Sequence, residues 1–182
     1  MPNSPPPTLP PDRAIVPTHP APSLIVQTVA GERWTLADRR PQRFTMIVFY
    51  RGLHCPVCRT HLSELDKKID KFTGLGVDVV AVSGDDEARA RRSVDEWKLE
   101  QLTVGYGQSV ASMREWGLFI SHGIKEPEPE WFGEPGLFLI RPDTTLYYAA
   151  LTSMPFGRPR FDDMLGALDF IIARDYPPRG EA

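Results

Sequence analysis

The sequence predicts an α/β protein with a central mixed sheet flanked by helices and an N-terminal β-hairpin extension. Three observations predict it. Strand-like apolar runs alternate with stretches of helical length, the sign of βαβ units. The run Phe44-Thr45-Met46-Ile47-Val48-Phe49-Tyr50 leads directly into Cys55-Pro56-Val57-Cys58, a C-x-x-C pair at a strand-to-helix corner. Near the end, Gly136 to Ile140 and Thr145 to Ala150 flank the turn-rich link Arg141-Pro142-Asp143-Thr144, which reads as an antiparallel hairpin added to a largely parallel sheet.

The elements follow in chain order. Residues 1–22 hold nine prolines and few side chains able to fill a core, so a solvated, polyproline-like arm is expected there. The folded domain is expected over 23–182, a length that suits one hydrophobic core. Ser23 to Val29 and Trp34 to Leu36 flank Ala30-Gly31-Glu32 and form the hairpin extension. A strand over 44–50, a helix over about 56–73, a strand over 77–83, a helix over about 86–98, a short strand over about 102–105 and a helix over 108–116 come next. The segment 124–133 reads as an exposed acidic insertion, with Trp131 and Phe132 at its end. The last helix, about 161–174, carries Met164, Leu165, Leu168, Ile171 and Ile172 at helical spacing.

Composition limits the partners. The net charge is −3 with both signs interspersed, which gives no field toward nucleic acid or anionic lipid. No segment approaches the roughly 18–20 apolar residues of a membrane span, and no basic-then-apolar leader opens the chain, so a cytoplasmic protein is expected. In a reducing cytosol a lone cysteine pair is seldom a structural disulfide, which leaves catalysis, metal binding or simple burial.

Cys55 and Cys58 are the only cysteines. At a helix N-terminus the unpaired backbone N–H groups and the positive dipole end stabilise a thiolate, the nucleophilic form. Pro56 suits the first helical position, where its missing N–H costs nothing. Cys58 shares a face with Leu62, Leu65, Ile69 and Phe72 and points toward the core, while Cys55 at the corner is expected to stay reachable. Arg51 and His54 are candidate cationic neighbours. A zinc site recruiting His54 or His61 lacks a second ligand pair at recognisable spacing, and His61 beside Leu62 reads as structural. Redox use of the pair is the preferred reading; no metal or cofactor is expected.

The segment Phe49 to Cys58, together with Val80-Ala81-Val82-Ser83, Trp116-Gly117-Leu118, Glu134-Pro135-Gly136-Leu137-Phe138 and Ser153 to Pro159, resembles the peroxiredoxin-like branch (alkyl hydroperoxide reductase and thiol-specific antioxidant) of the thioredoxin-fold superfamily. The likeness covers about residues 23–180. It implies a thioredoxin-like fold and reduction of a small peroxide or a disulfide, with Cys55 as nucleophile and Cys58 as resolving thiol. It further implies an external thiol reductant, thioredoxin-like or glutathione-based, and a homodimer. Pro135 matches the cis proline that lies against the dithiol in such folds. The chain departs from the peroxiredoxin pattern at three places: Val48 and Gly52 stand where its proline and threonine would be, and Pro135 where an arginine commonly precedes G-L-F. Arg51 or Arg158 is left as the candidate cationic donor. The alternatives are a general disulfide reductase and a non-enzymatic redox sensor.

Overall fold

The computed structural model describes residues 15–181. Seven strands form one mixed sheet in the order β2-β1-β5-β4-β3-β8-β9. They are β1 (Ile25–Thr28), β2 (Arg33–Thr35), β3 (Phe44–Phe49), β4 (Val77–Val82), β5 (Thr103–Tyr106), β8 (Gly136–Ile140) and β9 (Leu146–Leu151). A separate two-stranded ribbon joins β6 (Ile120–His122) to β7 (Trp131–Gly133). The helices are α1 (Pro56–Asp66), α2 (Ile69–Gly74), α3 (Glu87–Trp97), α4 (Val110–Glu115) and α5 (Phe161–Arg174). Strand β3 runs parallel to β4 and antiparallel to β8, and β4 runs parallel to β5. The βαβ unit β3-α1-α2-β4 and the ββα unit β8-β9-α5 thus meet where β3 pairs with β8, the arrangement of a thioredoxin fold.

The two layers of core follow from strand alternation. Met46, Val48 and Tyr50 face one cluster with Cys55, Cys58, Leu62, Leu65, Phe72 and Phe161. Ile47 and Phe49 face the other, with Trp34, Val80, Val82, Trp116 and Phe138. Every residue of β3 is buried, which explains why it reads as a continuous apolar run rather than an alternating one.

Two expectations change and one is extended. The N-terminal hairpin β1-β2 forms as expected, and it joins the main sheet: β1 pairs with β5 and β2 becomes an edge strand. The helix expected over 56–73 is two helices. The break falls beside Asp66, a buried residue whose carboxylate accepts the backbone N–H groups of Gln101 (2.9 Å) and Leu102 (2.8 Å). The proline-rich arm lies mostly outside the described residues, but its last part, 15–22, runs against the domain, half-buried apart from the exposed Thr18, His19 and Pro20. Thr18 N–H donates to the Leu146 carbonyl, Leu146 N–H donates to the His19 carbonyl, and Ile15 packs on the second core layer. Non-proline residues between the prolines keep the donors and acceptors needed to pair with β9.

Asp66→Ala would leave two backbone donors without their acceptor. Leu102 is buried and Gln101 exposed, and one unsatisfied buried N–H costs about 1–3 kcal/mol, so urea unfolding is expected to show a loss of about 1–3 kcal/mol with an unchanged m-value; a loss under ~0.5 kcal/mol would contradict this role.

Candidate active site

The dithiol sits at the C-terminal end of β3, where the chain leaves the sheet and turns into α1. Tyr50 N–H still pairs with the Val82 carbonyl, and Cys55 N–H closes the intervening turn on the Gly52 carbonyl at 3.1 Å. Cys55 is the N-cap of α1, with extended torsions (φ −100°, ψ 105°), and Pro56 follows it as the first helical residue. Its Sγ accepts the backbone N–H of Cys58 at 3.2 Å. A sulfur therefore occupies the position that a serine or aspartate oxygen takes in an ordinary N-cap. Both cysteines are unbridged.

Both are also buried, Cys55 at 1% exposure and Cys58 at 0%. The expectation that Cys55 stays reachable is corrected. Leu53 and Val57 pack against the cluster that holds both cysteines, and Arg158, arriving on the loop between β9 and α5, lies over both sulfurs. Its Nη2 is 3.0 Å from the Cys58 Sγ and 3.8 Å from the Cys55 Sγ. Its Nε donates to the Pro155 carbonyl at 2.8 Å, which fixes the plane of the guanidinium.

The two thiols are pushed apart in acidity. Hydrogen bonding from the Cys58 thiol is the main influence on Cys55; the Cys58 backbone N–H and the charges of Arg158 and Arg51 act the same way, and together they outweigh burial and bring its pKa down to about 6. Burial, and then the proximity of Cys55, push the Cys58 thiol up, despite the arginine beside it. The pair shares its remaining proton, with the charge on the capping sulfur. Alkylation of Cys55 by iodoacetamide is accordingly expected to rise with pH around a midpoint near 6 and to fall away below it; a midpoint near the ordinary thiol value of about 8.5 would contradict the assignment.

The other sequence candidates are placed differently from one another. Arg51 turns away from the dithiol: its Nε lies 3.3 Å from the Glu134 carboxylate and its Nη2 3.8 Å from Glu128, while its guanidinium covers the Phe132 ring at 4.6 Å. It acts on Cys55 through charge at a distance. His54 is not a cation at neutral pH, because burial and the Arg51 charge bring its pKa down to about 4. Its ring meets Phe132 edge-on. His61 is likewise lowered to about 4, by burial first; it stacks on Phe161 at 4.2 Å and its Nε2 faces the Pro159 carbonyl. Among the described residues no group of three or more His, Cys, Asp or Glu side chains is arranged to hold a metal ion.

Pro135 departs from expectation. The one cis peptide among the described residues is Glu126–Pro127, and the bond before Pro135 is trans. Glu134 N–H donates to the Phe119 carbonyl, and the Pro135 carbonyl accepts from Thr152 N–H, so the chain here is already paired on its way into β8. Pro135 lines a cavity of about 10 Å³ together with His61, Thr152, Arg158 and Pro159, room for roughly one water-sized molecule. Val48 and Phe49 at the end of β3 also line that cavity, and neither cysteine does.

Two buried carboxylates escaped the sequence reading. Glu134, 3% exposed, accepts the Ser121 hydroxyl at 2.6 Å and holds Arg51. Asp85, also 3% exposed, accepts the Leu53 backbone N–H at 2.7 Å and pairs with Arg89 Nε at 2.8 Å. Arg89 is therefore committed to the site's turn, while Arg91 and Arg92 make exposed pairs with Glu87 and Glu96.

A dithiol capping a helix at the C-terminal end of an inner strand of a thioredoxin sheet, with an arginine across both sulfurs, defines a thiol oxidoreductase. The chain belongs to the AhpC/TSA family, whose model matches residues 17–149. Among solved structures it is similar to a peroxiredoxin-like protein from Aquifex aeolicus, with 19% identity, TM-score 0.70 and 90% of each chain covered. It is similar to peroxidoxin BcpB from Mycobacterium tuberculosis, with 13% identity, TM-score 0.70, and coverage of 87% of this chain and 99% of that one. AhpC from Enterococcus faecalis aligns with 14% identity and TM-score 0.71, covering 90% of this chain and 98% of that one. No curated protein matches the chain. No described helix is long and apolar enough to cross a membrane.

Proposed function

We propose that the protein reduces small hydroperoxides through Cys55, with Cys58 as the resolving thiol. The observation that carries this reading is the shared contact of Arg158 Nη2 with both sulfurs, beside a Cys55 lowered to about 6. The Cys55 thiolate attacks the terminal peroxide oxygen, the O–O bond breaks, and the sulfur is oxidised by two electrons to a sulfenic acid while the other oxygen leaves as an alkoxide or hydroxide and takes a proton from solvent to become an alcohol or, from hydrogen peroxide, water. The Cys58 thiol then attacks that sulfur; the S–S bond forms and the hydroxyl departs with the thiol proton as water. An external dithiol or glutathione-based reductant returns both sulfurs to thiols. Such a cycle suits a reducing compartment such as the cytoplasm.

Arg158 takes the part of the donors that the family's proline and threonine positions lack here. Val48 faces the apolar core and Gly52 carries no side chain, so neither offers a hydrogen bond to a peroxide. A guanidinium held by Pro155 offers several N–H groups in one plane, suited to an anionic sulfur and a developing oxyanion together. The burial of both sulfurs separates this reading from general disulfide reduction, since a two-oxygen substrate enters where a protein disulfide does not. Trapping tests the intermediate. Peroxide-treated Cys58→Ser is expected to gain one dimedone adduct on Cys55 by mass spectrometry, and wild type a disulfide between 55 and 58 without adduct. An adduct on Cys58 of Cys55→Ser in place of these would reverse the assignment.

A further inference from the structure

We infer that Asp85, from the loop between β4 and α3, is the positioning residue of the Cys55 turn, standing where a side chain on residue 52 would otherwise act. This rests on the reading of Cys55 as the nucleophile. Residue 52 is glycine with φ +125°, a conformation that side-chain-bearing residues rarely adopt. A Cβ built there would lie 2.7 Å from Asp85 Oδ1 and 2.8 Å from Oδ2. The carboxylate thus fills the volume of the absent side chain. From there it accepts the Leu53 N–H at 2.7 Å, while the Gly52 carbonyl one residue earlier accepts the Cys55 N–H at 3.1 Å. These two bonds fix both ends of the three-residue step that sets the capping sulfur over the start of α1.

The carboxylate is itself fixed. Arg89 Nε, one helical turn on, holds Oδ1 at 2.8 Å, and Asp85's own N–H donates to the Ser83 hydroxyl at 3.3 Å. Its carbonyl accepts Gly107 N–H at 2.8 Å, which ties the loop to the end of β5. A buried carboxylate with a backbone N–H and an arginine as partners is a rigid anchor, because removing it leaves both a donor and a cation unmatched.

Position and charge act on Cys55 with opposite sign, which makes the proposal testable. The charged and titratable groups around Cys55 are Cys58 on α1, Arg158 on the loop after β9, and Arg51 and His54 in the turn; around Asp85 they are Arg89, His54 and Tyr50. If Asp85 acted on the thiolate by charge alone, removing it would make Cys55 more acidic. If it holds the turn, removing it loosens the cap and makes Cys55 less acidic.

The experiment is the pH profile of iodoacetamide alkylation at Cys55, assigned by mass spectrometry in the intact chain. Wild type, Asp85→Ala, Asp85→Asn and Gly52→Ala are compared, with circular dichroism to confirm folding. Asp85→Ala is expected to raise the midpoint by about one pH unit, the scale of a lost helix-terminus interaction. Gly52→Ala displaces the carboxylate and also strains the turn directly at φ +125°, so a raised midpoint there is required but does not by itself support Asp85; if Asp85→Ala fails to fold, an unchanged midpoint in Gly52→Ala still overturns the proposal. Asp85→Asn keeps an oxygen for Leu53 N–H and is expected to stay at or below the wild-type midpoint. A wild-type midpoint near 6 with an unchanged or lowered midpoint in Asp85→Ala and Gly52→Ala overturns the positioning role alone. A wild-type midpoint near 8.5 removes the nucleophile reading and this proposal with it.

Discussion

Arg158→Met is expected to lower the second-order rate of oxidation by hydrogen peroxide about 100-fold while leaving the fold intact. The arginine sits on an irregular loop, so truncating its head removes a donor without opening a core cavity. Its Nη2 reaches both sulfurs, and removal of one preorganised donor from a buried site costs roughly 10²–10³ in rate. Two effects act together. Cys55 loses a cation that favours its thiolate, and the departing oxygen loses the N–H groups that Val48 and Gly52 do not replace. Arg158→Lys is expected to recover only a small part of the rate, since a point charge on a flexible stem does not span two sulfurs as a planar fork does. The check is stopped-flow oxidation at several pH values. A rate within threefold of wild type for Arg158→Met would show that the arginine only packs.

Phe138→Ala is expected to produce the largest loss of stability, about 3–5 kcal/mol. Phe138 is fully buried on β8. Its ring meets Phe49 edge-on at 5.6 Å and Trp116 at 5.0 Å, and Phe49 and Trp116 themselves contact at 5.2 Å. These three rings form one buried layer around the strand that delivers the dithiol. For a domain of this size each kcal/mol lowers Tm by about 2–4 °C, so calorimetry is expected to show a drop of roughly 10 °C. A drop under about 3 °C would mean that the layer relaxes far more than such packing allows.

The parts legible in the sequence were those written in local pattern. The run Phe44 to Tyr50 reads as a strand buried on both faces because its side chains serve both cores, and the C-x-x-C after it marks the helix start through Pro56 and the capping sulfur. The hairpin β8-β9 and the helix α5 were readable for the same reason. The residues that complete the site were not, because each meets the dithiol across a long stretch of chain. Arg158 touches Cys55 from 103 positions away and is surrounded in sequence by prolines and glycine that carry no period. Glu134 and Asp85 look like surface acids until the fold buries them against Arg51 and Leu53. The segment read as an acidic insertion begins as one, yet Glu128 returns to Arg51 and Phe132 carries the Arg51 guanidinium. The cis proline carried over from the fold's general pattern failed at Pro135, where pairing with Thr152 and the Glu134 N–H bond extend the chain into β8.

In the proposed function Cys55 is a peroxide-reactive thiolate that Cys58 resolves. The most direct test is anaerobic stopped-flow oxidation of the reduced protein by hydrogen peroxide, followed by tryptophan fluorescence, with Cys55→Ser and Cys58→Ser alongside. Fast oxidation that persists in Cys58→Ser and vanishes in Cys55→Ser is the predicted result. Oxidation of the wild-type protein no faster than that of a free thiol would contradict it.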